Sequence, residues 1–125
     1  MLVTAGKAGI GGRYWCGEQR CAGLVLQQDG RWTIEASVEA VEVVNGKENK
    51  LKVPPLATGK IDGFIPATWH HLTLVLKGEE LAASIDGKDV ARVRYEKFYP
   101  AHKNGRAYLM SSYDPNCFDN VCVTP

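Results

Sequence analysis

The stretch His70-His71-Leu72-Thr73-Leu74-Val75-Leu76-Lys77-Gly78-Glu79-Glu80-Leu81-Ala82-Ala83-Ser84-Ile85-Asp86-Gly87 decides the fold. Leu72, Leu74 and Leu76 share one face, while His71, Thr73 and Lys77 lie on the other with Val75 among them. That period of two marks a half-buried strand. Lys77-Gly78-Glu79-Glu80 turns it into a second strand, Leu81–Ile85, and Asp86-Gly87 turns that into a third, Lys88–Tyr95. An Asp-Gly pair suits a two-residue type I′ turn, whose central residues both need positive φ.

The same period runs outward from this meander. Trp32-Thr33-Ile34-Glu35-Ala36-Ser37-Val38 puts Trp32, Ile34, Ala36 and Val38 inward. Continuing that register would bury Glu42, so a bulge or slip is expected between Glu39 and Val43. A helix is the rival reading for Ala36–Val44, but its β-branched valines favour a strand. Asp29-Gly30 gives a second type I′ hairpin signal, and Asn45-Gly46 and Asn104-Gly105 mark further turns. Lys47–Pro66, with prolines at 54, 55 and 66, reads as an excursion with little regular structure. Late strands are expected at about Arg106–Tyr113 and Phe118–Val123. Eight or nine short strands with almost no helix predict a single all-β domain over residues 1–125, an antiparallel β-sandwich or barrel.

Composition narrows the function. Fifteen basic residues against fourteen acidic ones leave a formal charge of +1, which argues against a nucleic-acid arm or a polybasic membrane patch. No apolar run approaches the ~20 residues of a membrane span. Met1–Gly12 lacks the charged start and apolar core of a signal peptide. No GxSxG, HExxH, phosphate loop or Ser-His-Asp motif is present. A glycosidase needs two carboxylates about 5–10 Å apart across a cleft, and the sequence specifies no such pair. Glu79-Glu80 reads as a solvated tip. His70 and His71, being adjacent on a strand, point to opposite faces and cannot chelate one metal. All three histidines, His102 included, read as surface or edge residues.

Sugars offer C–H faces to aromatic rings and hydroxyls to polar side chains. Tyr14, Trp15, Trp32, Trp69, Tyr108 and Tyr113 are the stacking candidates. Trp32 falls on the core register and Trp69 reads as an anchor at a strand edge. Tyr14, Trp15 and Tyr113, with Asp114 beside it, are therefore the expected ligand-binding set. The cysteines form two pairs of equal spacing, Cys16/Cys21 and Cys117/Cys122. A local disulfide could close the first loop. An extended strand would hold Cys117 and Cys122 about 16 Å apart, too far to bridge. Cross-pairing and free buried thiols both stay open. A zinc knuckle would need closer spacing.

Trp69–Gly78, then Ala83-Ser84-Ile85-Asp86-Gly87, then Asn104-Gly105-Arg106-Ala107-Tyr108-Leu109, then Phe118-Asp119-Asn120-Val121 form an ordered set. With the glycine-rich opening Val3–Gly12 and Asp29-Gly30-Arg31-Trp32, this set resembles the concanavalin A/laminin-G-like jelly rolls, and most closely the C-terminal lectin-like domains of the galactocerebrosidases. The resemblance implies a jelly-roll sandwich lacking its first strand or strands. Its open edge would be covered by a second copy, a swapped segment or a longer chain. It implies a non-catalytic glycan- or glycolipid-binding module, since the family's catalytic carboxylates lie in a separate barrel that this chain lacks. In that family the module helps wall the substrate cleft, and the setting is secreted or lysosomal. The aromatic run the family shows before its Asn-Gly turn is replaced here by Leu24-Val25-Leu26-Gln27-Gln28. The resemblance further implies calcium at Asp119 and Asn120, with Asp114 and backbone carbonyls near Gly6–Gly9 as other donors. Calcium takes about six to eight oxygens, and some of the family's ligands come from the segment absent here. The alternative for Asp119 is a solvent-facing or turn-bonded carboxylate. The rival to ligand binding is a structural or oligomerisation module.

Overall fold

A computed structural model describes residues 1–15, 20–37, 41–50, 54–94, 106–112 and 115–124. Among them it is all-β, with antiparallel sheets and no helix. The strands are β1 (Lys7–Trp15), β2 (Arg20–Gln27), β3 (Arg31–Ser37), β4 (Val41–Val44), β5 (Lys47–Lys50), β6 (Ala57–Lys60), β7 (Leu72–Lys77), β8 (Glu80–Ile85), β9 (Lys88–Arg94) and β10 (Arg106–Ser111). One five-stranded sheet runs β10-β1-β2-β3-β6, a three-stranded sheet runs β7-β8-β9, and β4 and β5 form a separate hairpin.

Alternation builds the sandwich. Ala8, Ala22, Leu24, Leu26, Trp32, Ile34 and Ala36 line the inner face of the larger sheet. Leu81, Ala83 and Ile85 meet them from β8, flanked by Leu72, Leu74 and Leu76. The expected outward set on β7, Thr73, Val75 and Lys77, is exposed. Leu24, Leu26, Ile34 and Leu81 have no exposure at all. One close approach spans the two layers and a second lies within the larger sheet. A Cβ on Gly12 would sit 2.8 Å from Leu76 Cδ1, and a Cβ on Gly59 would enter the Trp32 indole. Trp32 is thus a core residue covered by β6.

Among the described residues, turn chemistry follows the sequence with one exception, and the Asn104-Gly105 turn lies outside them. Asp86 and Gly87 have φ of 53° and 78°, and Asn45 and Gly46 have 52° and 75°, so both pairs have the type I′ signature. Asp29-Gly30 does not. Gly30 N–H bonds to Gln27 O at 3.0 Å, and only Gly30 has positive φ, so the connection is a three-residue loop. Asp29 instead accepts from Arg31 N–H and Arg31 Nε–H.

Two expectations are corrected. Lys47–Pro66 is not an irregular excursion, because it holds β5 and β6. The Asn45-Gly46 turn folds β5 back on β4, and β6 adds to the larger sheet beside β3, where Gly59 lets it close over Trp32. Phe118–Val123 is not a strand. Asp119 Oδ1 takes the Asn120 N–H at 2.8 Å and Asn120 turns to φ 53°, which breaks the extended path. Only Cys117 pairs there, bridging Leu2, which also bridges Trp69. The segment before β1 is thereby seated between 69–70 and 117, with Met1 and Val3 buried in the core. The slip expected between Glu39 and Val43 and the inward Val38 fall largely on residues 38–40, outside the described residues.

Removing one core side chain should expose this dependence. Leu24→Ala is expected to cost about 2–5 kcal/mol, read as a lowered urea midpoint with an unchanged slope.

Candidate functional site

On β1, Lys7-Ala8-Gly9-Ile10-Gly11-Gly12 alternates apolar residues with glycine. Ala8 and Ile10 face the core, so Gly9 and Gly11 face away from it. The register then sets one row across four strands: Tyr108 on β10 opposite Gly11 on β1, Gly11 opposite Gly23 on β2, and Gly23 opposite Glu35 on β3. Two consecutive positions in this row carry no side chain. The Tyr108 ring fills that furrow: a Cβ on Gly11 would collide with the ring, and one on Gly23 would lie 2.7 Å from Tyr108 Oη. The ring therefore lies over Gly11 with its hydroxyl end toward β2 and β3. Its opposite face points away from the sheet.

Polar groups gather at the hydroxyl end. Burial pushes the Tyr108 phenol well above its usual range, and Cys21, by charge and hydrogen bond, and the Glu35 charge push it the same way. Tyr108 is held as the neutral phenol. Glu35 Oε1 accepts from Thr33 Oγ1 at 3.0 Å. In the next row Gly9 faces Val25 and Val25 faces Thr33. Val25 is only 3% exposed although it is turned from the core cluster, so this face is partly enclosed. The row thus brings together an aromatic ring laid over glycine, a phenol, a thiol, a carboxylate and a hydroxyl.

A second polar centre lies at one end of the sandwich. His70 Nδ1 is 2.7 Å from Asp86 Oδ2, and His70 Nε2 is 3.0 Å from Thr68 Oγ1. The Phe64 ring stacks on the imidazole, with centroids 5.0 Å apart. Phe64 also covers Gly30, where a Cβ would meet it at 2.6 Å. The order hydroxyl–imidazole–carboxylate looks like a nucleophile relay, but Thr68 Oγ1 donates its single proton to Ile65 O at 2.6 Å. The hydroxyl is thus a loop brace, not a nucleophile. Burial would raise the Asp86 carboxyl, but hydrogen bonds from the His70 ring and the His71 N–H, with both histidine charges, hold it below the usual range.

The residues singled out in the sequence divide sharply. Tyr113, Asp114, Cys16 and His102 lie outside the described residues, and of Tyr14 and Trp15 only the β1 backbone is described. Trp69 is anchored through its backbone to Leu2, yet the residue is 54% exposed. His71 is exposed, whereas His70 is not the surface or edge residue expected, its side chain being only 11% exposed. Glu79 and Glu80 pair with Arg94 and Arg92. Among the described cysteines, Cys21, Cys117 and Cys122 are free thiols. Cys117 and Cys122 are exposed rather than buried. Asp119 and Asn120 are exposed, and Asp119 is turn-bonded. Among the described residues no three His, Cys, Asp or Glu side chains gather as metal ligands. Those residues alone do not supply the oxygen set calcium requires.

Known protein families, curated proteins and solved structures gave no match to this chain.

The furrow makes a size-compensation prediction. Gly11→Ala should cost about 1–3 kcal/mol by displacing the ring. In a Tyr108→Ala background the same change should cost nearly nothing, and a double-mutant cycle by urea denaturation measures the coupling.

Proposed function

We propose that the chain is a non-catalytic carbohydrate-binding module whose ligand sits on the outer face of the five-stranded sheet. The Tyr108–Gly11–Gly23–Glu35 row carries this reading. An aromatic floor offers a face for sugar C–H groups, and Glu35, Thr33 and the Tyr108 hydroxyl offer partners for sugar hydroxyls. Binding sites for small ligands combine these features: an apolar lining with a few placed polar groups. The likeness of Trp69–Gly78 and Phe118-Asp119-Asn120 to the lectin-like jelly rolls supports the same class. It extends the reading to glycolipid headgroups and to a module that walls the cleft of a hydrolase. The reading routes no contact through calcium. The rival, a structural or oligomerisation module, draws on the outward row Trp69–Leu2–Cys117 at the bridged end.

A glycan array that includes terminal hexoses and a galactosylated lipid tests the reading. The chain should bind a defined subset. Glu35→Gln should weaken that binding about tenfold with an unchanged melting temperature, the loss of one charged hydrogen-bond partner. Binding should survive a calcium chelator, and its loss would return calcium to Asp119 and Asn120. An array without a bound glycan, together with concentration-dependent self-association, would replace this reading with the structural one.

A further inference from the structure

We infer that His70 is a protonation-dependent latch: as an imidazolium it ties the 61–70 segment, which displays Ile65 and Trp69, to the turn between β8 and β9, and on losing a proton it releases that segment.

The argument is a count of protons. The Thr68 hydroxyl has one hydrogen, and it goes to Ile65 O. The contact from His70 Nε2 to Thr68 Oγ1 therefore needs the hydrogen on the ring nitrogen. The Asp86 carboxylate, already accepting the His71 N–H on Oδ1, needs a hydrogen on Nδ1. Both contacts hold at once only when both ring nitrogens are protonated. The stacked Phe64 ring adds a favourable face for that cation. Loss of either proton to solvent breaks the Asp86 tie or forces Thr68 to release Ile65 O.

What the latch restrains is visible in the backbone. Ala67 is held at φ 56°, a left-handed conformation that costs an alanine energy and persists only where neighbours enforce it. Ile65 and Trp69 on either side of it are 65% and 54% exposed. Thr68 and His70 are the braces inside this tip. Releasing them frees the strained residue and with it the arrangement of the two exposed side chains.

Other charges face the same junction. Asp86 comes from the β8–β9 turn, and His71 follows in the chain with its charge on Asp86. The Met1 amino group donates to His70 O at 2.8 Å, and Asp86 and Asp119 both act on it. Burial lowers the amine and the two carboxylates oppose that shift. Asp86 is held below its usual value, so its support is present above that range and is lost only as pH falls through the lowered pKa. The latch is closed between Asp86 protonation on the acid side and imidazole deprotonation on the other.

Nitrogen-15 NMR of the full chain between about pH 5.5 and about pH 8 tests this. At the acid end both His70 ring nitrogens should carry hydrogen. As the ring titrates, the Ile65, Ala67, Thr68 and Trp69 amides should shift with the same midpoint, and the His70 N–H, bonded to Met1 O, should lose protection from exchange. His70→Asn keeps a donor for Asp86 but cannot carry the charge, so it should abolish that midpoint. A change belonging to the Met1 amine would persist in the variant. A ring that titrates without moving the Ile65–Trp69 amides overturns the inference, as does the same transition in His70→Asn. The ring-nitrogen signals in the wild type decide the matter even if the variant fails to fold.

Discussion

The contact of Leu24, Leu26 and Ile34 with Leu81, Ala83 and Ile85 governs everything else in this molecule. These side chains come from strands distant in sequence and exclude water only if each strand keeps strict alternation. A one-residue slip in β2 would turn Leu24 and Leu26 outward and bring Val25 and Gly23 in. The same slip would carry Gly23 away from Tyr108. Core and outer furrow are thus two readings of one register. Strength in the first fixes geometry in the second.

That coupling explains what the sequence makes legible. The alternation of Leu72, Leu74 and Leu76 and of Trp32, Ile34 and Ala36 needs no partner to be recognised, because each strand carries its own inward set. The Asp86-Gly87 turn is equally local. The strand β6 is not: Ala57-Thr58-Gly59-Lys60 has no apolar stripe of its own, and it forms because Trp32 needs cover and Gly59 leaves room for the indole. Phe118–Val123 fails in the opposite direction. Its composition suits a strand, but one side-chain bond from Asp119 to the next amide redirects the chain.

The candidate sites were harder to see for the same reason. Gly9, Gly11 and Gly23 are visible as glycines, and the period of two puts the first pair on one face. Only strand pairing shows that Gly11 and Gly23 stand side by side with Tyr108 and Glu35 at the ends of the row. Tyr108 stands among the aromatic stacking candidates, but nothing local to it points to the glycines it covers. His70 was likewise misread from its neighbour. His70 and His71 precede β7 and differ in exposure, and what receives His70 is the side chain of a type I′ turn sixteen residues on. The Asp-Gly signal concerns the turn backbone and says nothing of where the Asp86 carboxylate goes. A turn aspartate whose φ is positive has its side chain available for exactly such a partner across the hairpin mouth.

The two centres also differ in how the fold supports them. Tyr108 rests on backbone: two glycines on adjacent paired strands, which cannot move apart without breaking the ladder. Its position is as rigid as the sheet. The His70 junction rests on side chains from a loop, a turn and the segment ahead of β1, with the strain at Ala67 opposing them. A ligand surface benefits from the first kind of support, because ordering has already been met by folding and is not charged to binding. A switch needs the second kind, since a bond that the sheet enforces would not yield to a single proton. The two proposed roles, a ligand surface at the glycine-backed aromatic and a switch at the hydrogen-bonded imidazole, match that difference in stiffness.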